Sequence, residues 1–381
     1  MFRSLSHFWK RRKPEAVSAA AAPPQGRPGV RHASREVCAK GGIRAISAFI
    51  LAPLSLLLAG CQHAQTVLYS SGPAAHRIAV LSWGMVILFS VVTIIMWVLV
   101  WWAAATRRGT LAEHEPIDAG GGQGWITIGG LIIPFIVLFV IFVLGLRLLA
   151  SFPVHQASYQ PIKNPDILII GHQWWWEVHY LGKTPNMNVT TANEIHIPVN
   201  QPVNIELESH DVIHSFWVPA LHGKVDLIPG HPNFIRIVAS HAGDFQGQCA
   251  EFCGAEHALM RLLVVAQPPD EYQAWLNAQR QPGKTPTQPE AIAGQSVFLS
   301  GPCTLCHTVR GTPAGGTVGP DLTHIGSRRY IAANAFPNNN AYLEAWVTHA
   351  QSFKPETQMP DLTSFSGKQL RDLVAYLRQL Q

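Results

Sequence analysis

The sequence predicts a multidomain membrane protein: a two-helix transmembrane hairpin, then an all-β domain, then an all-α domain. Three observations carry this. Residues 78–102 and 125–149 are almost uninterrupted apolar runs, each long enough to cross about 30 Å of hydrocarbon with some tilt. Residues 166–265 alternate short β-rich segments (DILIIG, NEIHIPV, QPVNIEL, FIRIVAS) with Gly, Pro and Asn breaks, the pattern of an antiparallel sandwich or barrel. Beyond residue 290 comes a Cys-x-x-Cys-His motif, followed near the end by an amphipathic helix with Leu370, Leu373, Val374 and Leu377 on one face. Composition agrees: 13% charged residues and a mean hydropathy of +0.12 are more apolar than is usual for a soluble chain.

In chain order, residues 1–60 read as a basic N-terminal extension and a signal peptide. The part before Lys40 is rich in Ala and Pro and carries the basic run Lys10 to Lys13, a composition that does not fold. No nucleic-acid role is read into it, because it leaves with the signal. Residues 40–61, KGGIRAISAFILAPLSLLLAGC, have a basic start, an apolar body and small residues at the end. The final Leu58, Ala59, Gly60 and Cys61 resemble a bacterial lipobox, which makes Cys61 a lipidated mature N-terminus.

Residues 61–155 then hold that membrane-lipid anchor and the hairpin. Arg107 and Arg108 in its loop favour a cytoplasmic loop, although Arg77 and Arg147 at the other ends blunt the bias. The lipobox and the Cys-x-x-Cys-His motif both require the opposite compartment, so both mature ends are expected in the periplasm, on a multi-pass protein of a bacterial inner membrane.

Within the β-domain, residues 156–280, the stretch CAEFCGAEHALM sets Cys249, Cys253 and His257 at four-residue steps with Met260 three further on. Thiolate and thioether ligands select soft metals, and Met beside Cys and His points to copper, since zinc is normally held by Cys, His and carboxylate. A single blue-copper ion uses one Cys, so the second is surplus unless both sulfurs bridge a metal pair. A further imidazole comes from SHDVIHSFWVP: His214 is the better candidate and His210 its rival. Gly254 interrupts the run and argues against one continuous buried helix.

Residues 281–289, including PGKTPTQP, read as a semi-rigid linker. In the domain that follows, residues 290–381, Cys303, Cys306 and His307 form the motif of covalent c-type haem attachment, with the imidazole on iron. Met359, in the loop QMPDL, is the expected sixth ligand. The cysteines then close without remainder: Cys38 leaves with the signal, Cys61 takes lipid, two take copper and two take haem.

GHQWWWEVHY, SHDVIHSFWVP, KVDLIPG and GQCAEFCGAEHALM, in that order, resemble subunit II of the haem-copper cytochrome c oxidases. Over residues 76–267 the resemblance implies a cupredoxin-like domain with a dinuclear CuA centre. In it Cys249 and Cys253 bridge, His214 and His257 are terminal, and Met260 and the Glu251 carbonyl complete the set. It further implies a magnesium ion, shared with the catalytic subunit, at the Glu251 side chain, and Trp174 as the residue where electrons enter. The last segment resembles a class I cytochrome c, in which the Pro320 carbonyl supports His307. Neither apolar run contains His, so oxygen reduction and the catalytic site are expected on another subunit. GGGQGW before the second run departs from the glutamate often found there; Glu115 and Asp118 are the nearest acids, and no proton-uptake role is assigned.

The function expected is therefore electron input to an oxidase, with subunit I, subunit III and an external cytochrome c or other donor as partners. Two other readings fit the ligand set: the CuA-bearing chain of a nitric oxide reductase, and a lone membrane-tethered electron carrier.

Overall fold

A computed structural model describes residues 65–106, 122–152 and 164–381. The signal peptide, Cys61, the loop arginines Arg107 and Arg108, and Glu115 and Asp118 lie outside the described residues.

Two long helices, α1 (Pro73–Thr106) and α2 (Gln123–Ala150), contain the apolar runs and extend a few residues past them. Both are apolar all round and leave rings such as Trp97, Trp101 and Phe135 exposed. Such a surface suits lipid or a neighbouring membrane subunit, not water. The start of α1 is sewn to the β-domain: Ser71 N–H donates to the Ala220 carbonyl at 2.7 Å, and Ser240 N–H to the Ser71 carbonyl at 2.7 Å.

The β-domain is a sandwich of two five-stranded sheets. One has the order β3-β2-β1-β5-β8, from β1 (Ile167–His172), β2 (Trp175–Tyr180), β3 (Val189–Ala192), β5 (Val203–Ser209) and β8 (Asn233–Ile237). The other has the order β4-β10-β9-β6-β7, from β4 (Glu194–Pro198), β6 (His214–Trp217), β7 (Val225–Leu227), β9 (Gly243–Cys249) and β10 (Arg261–Gln267). The expectation of an antiparallel fold needs correction here. β1 runs parallel to β5 and β4 parallel to β10, so both sheets are mixed. Hydrophobic alternation sets which face is inward and carries no information on strand direction.

That alternation builds the core. Ile167, Ile169, Trp176, Val178, Ile205 and Leu207 point inward from one sheet and meet Ile195, Ile197, Phe216 and Leu262 from the other. β4 is buried along its whole length because helix α3 (Pro269–Gln279) covers its outer face. There the Trp275 ring stacks on His196 at 3.9 Å.

On β2, Glu177 takes His172 at 2.9 Å and His179 at 3.1 Å. Burial opposes its charged form, but the two imidazole hydrogen bonds outweigh it and hold the carboxyl at about 2. A carboxyl lowered on folding stabilises the native state above its unfolded value, near 4.5, and loses that contribution as pH falls towards 2. Acid titration followed by Trp fluorescence should therefore show a Glu177→Gln variant less stable by about 1–2 kcal/mol above pH 4.5, solvent screening allowed for, with the difference gone near pH 2.

The last domain packs α4 (Pro289–Ser300), α5 (Asn340–Phe353) and α6 (Gly367–Gln379) around Phe298, Leu343, Val347, Leu373 and Tyr376, with a short hairpin of β11 (Tyr330–Ile331) and β12 (Phe336–Pro337). Ser366 and Gln369 form a reciprocal capping box at the start of α6, and Asn339 caps α5. α4 and α6 cross so closely that a Cβ on Gly294 would fall 1.9 Å from the Asp372 carbonyl oxygen; only glycine permits the crossing.

The segment read as a linker is not a free tether. Gly283 N–H donates to the Arg310 carbonyl at 2.8 Å, Pro286 is buried, and the segment lies as a strap along the helical domain. The two globular domains are docked. Arg329 pairs with Asp244, and its N–H donates to Glu194 at 3.0 Å; Arg261 N–H donates to the Ala333 carbonyl at 3.1 Å.

Candidate functional site

β9 ends at Cys249, and the chain turns back through Glu251, Cys253 and a short 3-10 turn (His257–Leu259) to Met260, just before β10 begins. Gly254 makes that reversal at φ +117°, and a Cβ there would lie 2.9 Å from the Trp174 ring. β6 delivers His214 from the same sheet. The result is one compact donor cluster: Cys249 Sγ to Cys253 Sγ 3.8 Å, Cys249 Sγ to His214 Nδ1 4.0 Å, Cys253 Sγ to His257 Nδ1 3.6 Å, and Cys253 Sγ to Met260 Sδ 3.8 Å. The Cys249 thiol reaches the Glu251 carbonyl at 3.2 Å. Each sulfur thus has its own imidazole, a near-symmetric pairing that sequence spacing does not reveal.

The surroundings hold the donors ready. Asp211 accepts from His214 Nε2 at 2.8 Å, which leaves Nδ1 facing the sulfurs, and Asp211 also takes Gln173 N–H at 2.7 Å. Burial opposes the charged form of Asp211, yet these bonds hold its carboxyl below the ordinary range. The neighbouring Cys253 thiol is the largest influence pulling the Cys249 thiol down, and the same contact pushes Cys253 up. Two buried soft sulfurs, each with an imidazole within about 4 Å and one with a thioether as near, fit copper: zinc has little use for a thioether, and magnesium takes oxygen ligands that this cluster lacks. The Glu251 carboxylate points away, exposed, and pairs with Lys224 at 3.3 Å.

His210, the rival to His214, is elsewhere. It stacks on His172 at 4.8 Å, and His172 stacks on Trp175 at 4.4 Å. His172, His210 and Asp211 are close enough to suggest a second cation site. His172 Nε2 is already bonded to Glu177 and both Asp211 oxygens accept other hydrogen bonds, so this group is committed within the protein.

The helical domain presents a separate apolar cavity. Cys303, Cys306, His307 and Met359 all line it, with Leu343, Val347 and Leu373 behind them. His307 Nδ1 donates to the Pro320 carbonyl at 2.8 Å, leaving Nε2 for a metal; burial lowers the His307 pKa and favours the neutral imidazole a ligand needs. Arg328 is buried against the same cavity with its Nε unpartnered, a donor suited to an acidic group of a bound molecule. Two thiols, an imidazole and a thioether around an apolar space, with a spare guanidinium donor at its edge, fit haem.

One wall of that cavity is not helical: Gln173, Trp174 and Trp175 from the β-domain complete it. Trp174, 5% exposed, also donates its indole N–H to the Cys253 carbonyl at 3.0 Å, and Gln173 Nε2 donates to the same oxygen at 2.7 Å. A single side chain therefore joins the cavity wall to the loop that carries Cys253. Sequence reasoning singled out Trp174 but not Gln173, Trp175 or Asp211. Only Asp211, three residues before His214 in DVIH, had a local signal.

Comparison with known proteins identifies both domains. Residues 181–267 match the family described as cytochrome c oxidase subunit II, periplasmic domain, and residues 291–381 match cytochrome c. Cytochrome c oxidase subunit 2 of Alkalihalophilus pseudofirmus is 34% identical over 343 residues, covering 86% of this chain and 95% of that protein. The subunit 2 of Bacillus subtilis is 27% identical, covering 72% of this chain and 80% of that protein. Among solved structures, the periplasmic domain of subunit II of cytochrome oxidase of Bradyrhizobium japonicum is 30% identical, covering 32% of this chain and 96% of that one, with a TM-score of 0.29. The subunit II match implies copper and the cytochrome c match implies haem, and the two donor sets fit them. On its two matched regions and its nearly full-length relative, the chain belongs to the cytochrome c oxidase subunit II family and carries a fused cytochrome c domain.

Proposed function

We propose that this chain is the electron-input subunit of a respiratory cytochrome c oxidase, passing electrons from a covalent haem c to a dinuclear CuA centre and on to a catalytic subunit that reduces oxygen to water. The observation that carries the reading is Trp174, which lines the haem cavity and hydrogen-bonds the copper loop. When bound, the two groups supply one-electron carriage; the residues supply position. Cys249 and Cys253 would bridge the copper pair, with His214, His257, Met260 and the Glu251 carbonyl around it. Cys303 and Cys306 would hold the haem through thioethers, with His307 and Met359 on iron and Pro320 fixing the His307 ring. Ligands held on loops of a rigid sandwich need move little when charge arrives, which favours fast transfer.

The Glu251 carboxylate, exposed beside Lys224, is the group that a magnesium ion shared with subunit I would use. Subunits I and III and an external cytochrome c donor are the partners proposed. The exposed apolar helices support a membrane anchor; a multi-pass place in a bacterial inner membrane, removal of the signal peptide and lipidation of Cys61 are proposed from the sequence. Relatives named as oxidase subunits do not favour a nitric oxide reductase chain or a lone carrier.

Metal analysis of the full chain, separated in detergent from other subunits, should give two coppers to one iron. Met359→Ala should abolish the sulfur-iron band of the haem spectrum while leaving the copper spectrum unchanged. One copper per chain, or survival of that band, would count against the reading.

A further inference from the structure

At the end of α5, the chain buries a lysine. Lys354 is 2% exposed, one of the largest fully buried side chains of the protein, yet among the described residues no carboxylate pairs with it. Its ammonium instead donates across the domain boundary, to the Trp174 carbonyl at 3.0 Å and the Leu259 carbonyl at 3.2 Å. The first acceptor belongs to the residue that joins the haem-cavity wall to the Cys253 loop; the second lies in the 3-10 turn just before Met260. The side chain also lines the haem cavity.

This is an expensive arrangement for mere packing. Desolvating an ammonium costs several kcal/mol, and an apolar residue of the same size would fill the space without that cost. Burial accordingly lowers the Lys354 pKa to about 8, with Glu256 acting on it through space in the opposite direction. What a methylene chain alone cannot do is hold two backbone carbonyls of another domain at a fixed distance. Charge-assisted hydrogen bonds are the stronger kind, and two from one nitrogen fix direction as well as separation.

We infer that Lys354 is a positioning residue, a cationic clamp that fixes the haem domain on the Trp174 segment and the copper-binding loop. The ionic contacts of Arg329 lie nearer solvent and are screened by salt; the Lys354 contact is dry and is not. Its link to electron transfer rests on the path proposed above, so the test reads the clamp and the path separately.

In the intact oxidase, Lys354→Met keeps length and apolar volume and removes the donors, while Lys354→Gln keeps an uncharged amide donor group on a shorter side chain. Hydrogen exchange at Trp174 and around Leu259 should quicken tenfold or more in the Met variant and less in the Gln variant. The copper and haem spectra should be unchanged, and the melting temperature should not fall, since a buried charge has been removed. Haem-to-copper transfer after flash reduction should slow about tenfold or more, because small displacements between reacting groups have large effects on rate. Exchange that stays at the wild-type rate in both variants overturns the clamp. So does loss of either spectrum together with a lowered melting temperature in both, which would make Lys354 an ordinary folding residue. Faster exchange with unchanged transfer supports the clamp and refutes the proposed path instead.

Discussion

Serine in place of Cys253, or of Cys249, abolishes the near-infrared absorption of a mixed-valence copper pair and leaves at most one copper per chain. The expectation rests on the geometry of the cluster. With the sulfurs 3.8 Å apart and one imidazole beside each, neither half is complete without the other's thiolate. A hydroxyl is a poor ligand for a soft cation, and the remaining Cys, His and Met then resemble a single-copper site with one strong thiolate. Paramagnetic resonance and metal analysis of each variant check this. A delocalised two-copper signal that survives either substitution would show that the sulfurs do not bridge.

Trp174→Ala carries the second large effect. It removes the ring from the haem-cavity wall and the N–H from the Cys253 carbonyl at once, so transfer between the centres should slow on the order of a hundredfold. Emptying a buried Trp site also costs about 3–5 kcal/mol of local stability, so the control is Trp174→Phe, which keeps an aromatic ring and loses the hydrogen bond with a smaller part of the volume. The Phe variant should retain most of the rate. Because the domains are docked, the rate should not change with protein concentration and should fall little with added salt. A rate indifferent to the Trp174→Ala change would mean that electrons take another route.

Local grouping of side chains was legible in the sequence where residue type and spacing sit within a dozen residues. Cys249, Cys253, His257 and Met260 fall together as their spacing suggests, as do Cys303, Cys306 and His307. The apolar runs and the inward-facing positions of the strands were legible for the same reason, since both are periodic. Strand direction and docking were not. Residues 160–270 hold five basic against eleven acidic residues and residues 287–381 seven against six, which suggests weak attraction between the domains. Net charge averages away what matters at a surface. Arg329 meets Asp244 and Glu194 locally, and Lys354 needs only carbonyls, which no charge count includes.

Because Gln173, Trp174 and Trp175 close one side of the haem cavity, the two globular parts of this chain are not interchangeable cassettes. A haem domain cut free at the strap would present that side to water. Hydration favours the more highly charged oxidised form of the iron, so the potential of the severed domain should drop below its value in the whole chain. The same surface would then govern both how near the two carriers lie and how far downhill the electron travels between them. A graft of some other cytochrome onto this sandwich would have to match the sandwich in voltage as well as in shape.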